Sequence, residues 1–240
     1  MAISAKRTRT ITARRQDLID GTIRSIAEHG YANSTVQTIC ESVGLSRGLI
    51  GHYFQGKDEL LIEAFRHMCA RSDERMRQAI DAVGDDPLQR LLAATRVTFE
   101  SASSRDNALV WLACCGVAPW NGSMTELHNR LYRRYRAWIE RMIGQAAAER
   151  GIALDAKRAA LTYAQMVDGF WIGWLMDKNA FSLDEATQIV SDWVLDLLGE
   201  RATAKNGTKR KPTRAPTKRK TRKSRKPTAR RGALKKPARA

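Results

Sequence analysis

The chain has 240 residues and a formal net charge of +17, enough length for one or two domains with a sizeable core. The charge is uneven: residues 201–240 hold eighteen Lys or Arg and no Asp or Glu, leaving 24 basic and 25 acidic residues in 1–200. No secretory leader or membrane span is expected, because Met1–Arg15 is polar and basic and the richest apolar run, Met166–Met176, is interrupted by Asp168.

Along the chain the apolar pattern is helical and strand alternation is absent, so the expected fold class is all-α. After a basic arm over 1–11, expected to be disordered, Leu18, Ile19, Thr22, Ile23 and Ile26 recur at helical spacing and Gly30 closes the first helix. Ser34 and Thr35 supply a cap, with Gln37 as the capping-box partner of Ser34. A short helix follows with Val36, Ile39, Cys40 and Val43 inward, ended by Gly44. Ser46 then caps a third helix running to about Tyr53, and Lys57 begins a longer one with Leu60, Leu61, Ala64, Phe65 and Met68 on one face. Asp86 as N-cap and Pro87 as first helical residue open the next. Further helices are expected over 87–103, 107–118, 123–150, 156–177 and 183–198, with Gly151 stopping one, Ser182 and Glu185 boxing the last, and Gly199 ending it.

Two short helices joined by Gly44-Leu45-Ser46 have the proportions of a helix-turn-helix. Val36, Ile39, Val43, Leu45 and Ile50 provide its small core, and Arg47, Gly48, Leu49, Gly51, His52 and Tyr53 face outward from the third helix. Arg47 has the fork to read a guanine in the major groove, and the two glycines let backbone approach DNA closely. Spacing alone equally suits a helical hairpin with no role on DNA.

The local sequence from Thr35 to Leu61 resembles the DNA-binding domain of the tetracycline-repressor family, above all in Tyr53-Phe54, Lys57 and Leu60-Leu61. That resemblance covers roughly residues 12–65. It implies a homodimer on a palindromic operator, released when a ligand in the larger domain respaces the two heads. By motif position it assigns Thr35, Arg47, Tyr53 and Lys57 to DNA: Thr35 and Lys57 on phosphates at helix N-termini, Tyr53 stacked on the backbone and bonded to phosphate. Gly51 departs from the pattern, which has a larger residue there. Residues 10–198 further resemble the choline-responsive repressors of betaine synthesis, in Leu49-Ile50-Gly51-His52-Tyr53-Phe54, Trp111-Leu112-Ala113 and Val167-Asp168-Gly169-Phe170-Trp171.

Residues 66–200 are read as a ligand-binding and dimerisation domain. Five of the six tryptophans fall between 111 and 174, with Tyr132, Tyr135, Tyr163 and Phe170 among them. Asp168, Trp171, Ile172 and Leu175 share a helical face. A carboxylate among aromatic rings is what a quaternary ammonium needs, so Trp111, Asp168, Trp171 and Trp174 are the candidate ligand-binding residues. The alternative is a structural Asp168 with the aromatics as core. Ile189, Val190, Trp193, Val194, Leu197 and Leu198 form a broad apolar stripe on the last helix, suited to a four-helix dimer interface or to burial within one subunit.

An enzyme is not expected: the four histidines are scattered, His67-x-Cys69 is too weak for a metal site, and no nucleophile motif is present. No cofactor is implied. Cys40, Cys69, Cys114 and Cys115 include no C-x-x-C pair, and adjacent Cys114 and Cys115 suit no ordinary disulfide, so reduced thiols and a cytoplasmic, nucleoid-associated protein are expected. The tail, 201–240, has too few apolar groups to offset ordering and is expected to be disordered. Its run from Lys209 to Lys220 resembles the lysine-rich tails of histone-like proteins. An architectural DNA-binding protein dominated by this tail is therefore the alternative reading, and a mere solubility tail the plainer one.

Overall fold

The computed structural model describes residues 2–100 and 104–200; the basic tail lies outside the described residues. Within them all regular structure is helical: α1 (Ala2–Asn33), α2 (Val36–Ser42), α3 (Arg47–Ile50), α4 (Lys57–Asp81), α5 (Pro87–Glu100), α6 (Ser104–Val117), α7 (Gly122–Glu149), α8 (Ala156–Met176) and α9 (Leu183–Leu197), with one 3-10 turn, Ala118–Trp120, between α6 and α7. No helix among the described residues is long and apolar enough to cross a membrane.

The helices past residue 86 match their expected spans closely, and α5, α7, α8 and α9 each carry a cap in their own sequence. Asp86 accepts from the backbone N–H of Leu88 at 2.8 Å, and Ser182 and Glu185 form the expected box. Helix α1 starts at Ala2 and so spans the residues of the expected arm, with Gly30 (φ 73°) as the break near its end. Two expectations fail nearby. The cap of α2 is Thr35 boxed with Thr38, not Ser34 with Gln37. Ser34 is fully buried, accepts from Ser25 Oγ at 3.0 Å and donates to the Gly30 carbonyl at 2.8 Å, while Gln37 bonds Glu41 instead. And α3 stops at Ile50, after which Tyr53 and Phe54 N–H groups both close onto the Ile50 carbonyl at 2.8 Å. Gly48 and Gly51 each cost about 1 kcal/mol of helix propensity, too much for so short a helix to absorb.

Three apolar clusters organise the body. Leu18, Ile19, Ile39, Cys40, Ile50, Phe54, Leu60 and Ala64 bind α1 to α4 into a head, with Val36, Val43 and Leu45 packed on its edge as the pattern predicts. Leu61, Phe65 and Met68, on the same helix α4, enter a second cluster with Val110, Cys114, Met124 and Leu127. The third joins α5, α7, α8 and α9. Helix α4 is thus shared between head and body, and its predicted buried face is the one observed. The stripe on α9 divides. Val190, Val194 and Leu198 are buried in their own subunit, while Ile189 stays exposed beside Leu161, Ile172 and Met176 as the large apolar groups that α8 and α9 leave uncovered.

Gly44 (φ 65°) sits in the turn between α2 and α3, a conformation that side chains disfavour. At Gly21 the constraint is space: an added Cβ would lie 2.6 Å from Val43 Cγ1 and 3.0 Å from Ser42 Oγ. Gly21→Ala is therefore expected to destabilise the head by about 1–3 kcal/mol despite the better helix propensity of alanine. Chemical denaturation reads this directly, and an unchanged or raised midpoint would show that α1 and α2 can part without cost.

Candidate nucleic-acid interface and ligand cavity

Arg47 and Gly48 are exposed on α3, Leu49 lies on the same helix, and exposed His52 follows in the turn. Tyr53 is half-buried against the head core. Thr35 is exposed at the N-terminus of α2, where its Oγ1 accepts from the Thr38 N–H at 3.1 Å. Lys57 is the first residue of α4, and its ammonium is already engaged: Nζ donates to the Tyr31 carbonyl at 2.8 Å and lies 4.0 Å from the Tyr31 ring centroid. Tyr31 in turn donates to Asp58. Lys57 therefore ties the start of α4 to the end of α1, and only its remaining N–H directions are left for a phosphate.

The body holds a cavity of about 580 Å³, within the range of small-molecule sites. Trp111, Asp168 and Trp171 all line it; Trp174 does not, and packs edge-on against Trp171 at 5.9 Å with Lys178 Nζ 5.1 Å from its own ring. Tyr132, in sequence one aromatic among several, joins Trp111 and Asp168. Trp111 Nε1 donates to Tyr132 Oη at 2.8 Å, and Tyr132 Oη donates to Asp168 Oδ1 at 2.9 Å. His128 stacks on the other side of Tyr132 at 4.1 Å. Tyr132, Tyr135 and Trp138, three apart on α7, all line the cavity. A buried Asp168 needs a hydrogen-bond donor, and that need is the signal in the sequence that points to Tyr132.

Burial pushes the Asp168 carboxyl up to about 6, against the opposing hydrogen bond from Tyr132 and the positive field of Arg136. Burial and the Asp168 charge push the Tyr132 phenol well above its ordinary range, so it is a donor throughout the physiological range. One carboxylate oxygen is thus fixed by Tyr132 amid aromatic faces, an arrangement suited to a cation that needs counter-charge and π surface but offers no hydrogen bonds. The cysteines are free thiols; burial raises Cys69, on the cavity wall, to about 12, which keeps it protonated. His67 bonds Gln16 Nε2 at 3.1 Å and faces Asp20 at 3.9 Å. A smaller cleft of about 220 Å³ is lined by α1, α4 and α6, and Met68, Arg75 and Asn107 border both voids.

A helix-turn-helix head sharing one long helix with a cavity-bearing helical body defines a one-component, ligand-responsive DNA-binding regulator. Comparison with known proteins agrees. Residues 18–64 match the family described as bacterial regulatory proteins, tetR family, and residues 87–199 match BetI-type transcriptional repressor, C-terminal. The HTH-type transcriptional regulator BetI of Stenotrophomonas maltophilia (strain R551-3) is 31% identical over 185 residues, covering 75% of this chain and 91% of its own. Among solved structures, a transcriptional regulator of Pseudomonas aeruginosa PAO1 superposes with a TM-score of 0.69 at 30% identity, over 80% of this chain and 94% of that one. A regulator of Saccharomonospora viridis, solved in complex with choline, gives 0.71 at 25% identity, over 76% and 96%. The chain belongs to the tetR family of transcriptional regulators, in its BetI-type repressor branch. It is a regulator and not an enzyme.

Proposed function

We propose that this protein is a homodimeric repressor that binds a palindromic operator in the cytoplasm and is released by a trimethylammonium effector seated against Asp168. The observation that carries this reading is the Trp111–Tyr132–Asp168 chain opening onto an aromatic-lined cavity. The similarity to a regulator solved with choline supports the chemical class. Leu161, Ile172, Met176 and Ile189 supply an exposed apolar face on α8 and α9 for the second copy, a narrower face than the full α9 stripe. The reading head contacts DNA through Thr35, Arg47, Gly48, Leu49, His52, Tyr53 and Lys57, and its one-turn α3 is short enough that DNA contact is expected to order the turn after it. The test is fluorescence anisotropy of a labelled operator duplex titrated with protein and then with choline. Two protomers per duplex and release by choline are expected. One protomer per duplex, or no release by any quaternary ammonium compound, overturns the reading.

Arg47 is the one long basic side chain on α3 and is exposed there. Arg47→Ala is expected to cost about 1–3 kcal/mol on the operator while barely changing affinity for random DNA. An equal loss on both DNAs would reassign Arg47 to phosphate.

A further inference from the structure

The cavity is larger than a choline-sized cation needs and its two ends differ in character. At about 30 Å³ per water-sized group, 580 Å³ holds roughly nineteen such groups, whereas choline has seven non-hydrogen atoms. Helices α4 and α7 run past each other in the same direction: Phe65 stacks on His128, and further along Asp73 pairs with Arg134. From Tyr132, at the Asp168 end, to Arg141 is nine residues of α7, a rise of about 13 Å. Trp138, Met76, Ile80 and Val97 give the intervening wall an apolar character.

The charges of the lining also offer a place for an anion. The lining carries four arginines, Arg75, Arg77, Arg134 and Arg141, against two aspartates, Asp73 and Asp168. Arg134 is held by Asp73, and Arg77 by Glu74 at 2.5 Å. Arg141 is exposed and has no hydrogen bond or ion pair among the described residues. A simple cation at Asp168 leaves Arg141 without a counter-charge, whereas a molecule with its own negative end offers that end to Arg141.

We propose that the effector is a zwitterion: a trimethylammonium head against Asp168 and Tyr132, joined by an apolar segment to an anionic terminus at Arg141. This rests on the quaternary-ammonium reading of the cavity and adds the second pole. It is tested by calorimetric titration of the full-length protein with choline, hexyltrimethylammonium and trimethylammoniohexanoate. The zwitterion is expected to bind about fivefold more tightly than the hexyl compound, the scale of one exposed ion pair. Arg141→Gln should abolish that difference and leave the hexyl compound's Kd nearly unchanged; Asp168→Asn should weaken both. Arg141 is at the surface, so loss of folding is not expected, and the melting temperature of the variant checks it. If choline binds in an Asp168-dependent way but the zwitterion has no advantage, or keeps it in Arg141→Gln, the second pole is refuted while the ammonium site stands. If no trimethylammonium compound binds, both readings fall.

Discussion

Deleting residues 201–240 is expected to flatten the slope of log affinity against log salt by several units on operator and random DNA alike. The tail brings eighteen positive charges and no negative ones, and each phosphate neutralised contributes about 0.9 to the slope. If half of the charges engage, the change exceeds that from removing any single contact of the head. Pro212, Pro216, Pro227 and Pro237 oppose a long helix, so the tail has no rigid element with which to read bases. The truncated protein should therefore bind more weakly and associate more slowly at low salt, yet keep its preference for the operator. Salt titrations of full-length and truncated protein on both DNAs measure all three. Overlapping slopes would assign the tail to solubility or to another acidic partner. Loss of operator preference on truncation would favour the architectural reading over the repressor.

The second large effect is expected at Asp168. Asp168→Asn keeps an acceptor for the Tyr132 hydroxyl but removes the counter-charge. Trimethylammonium compounds should then bind about 2–4 kcal/mol more weakly, or ~30- to 1,000-fold. The wild-type response should also depend on pH. Only the ionised carboxylate pairs with a cation, and burial holds this carboxyl at about 6. Affinity should thus be full above about pH 7, fall as pH drops through 6, and be down about tenfold at pH 5. Stability has the opposite sign. A carboxyl whose pKa is raised on folding binds its proton more tightly in the native state than in the unfolded chain, near 3.9. The unliganded wild type should therefore gain stability relative to Asp168→Asn as pH falls through 6 towards 4. A pH-independent affinity, or equal ligand-induced rises in melting temperature for the two proteins, would remove Asp168 from the ligand site.

What was legible in the sequence was whatever is decided locally. Asp86-Pro87, Ser182 with Glu185, and the glycines at 151 and 199 place helix ends because cap chemistry needs only neighbours along the chain. The buried face of α4 follows from its period. Choices between equivalent local donors were not legible. Ser34 and Thr35 both suit a cap, and the outcome turned on Ser25, nine residues away, which draws Ser34 into the interior. The apolar spacing overstates the length of α3, because Gly48 and Gly51 lower its helix propensity. Trp111, Asp168 and Trp171 all line the cavity, but Trp174, six residues beyond Asp168 and so about 240° round the helix from it, does not. Nothing local marks Tyr132 as the partner of Trp111 and Asp168, which lie 21 and 36 residues distant. The division of the α9 stripe between core and surface is set by α5, which packs on one side of it and is distant in sequence.

Met68, Arg75 and Asn107 border both the large cavity and the cleft beside α1, so an effector held in the cavity would touch side chains that also face the first helix of the head. Coupling through such shared side chains runs both ways: by whatever factor effector lowers the affinity for operator, operator lowers the affinity for effector. Protein already seated on its operator is then the least sensitive fraction in the cell. Copies held elsewhere on the chromosome fill first and act as a sink, so the threshold for derepression is set by the total number of molecules as well as by the cavity. A chain carrying eighteen extra positive charges, free to keep many copies on non-operator DNA, would raise that threshold without altering any residue of the ligand site.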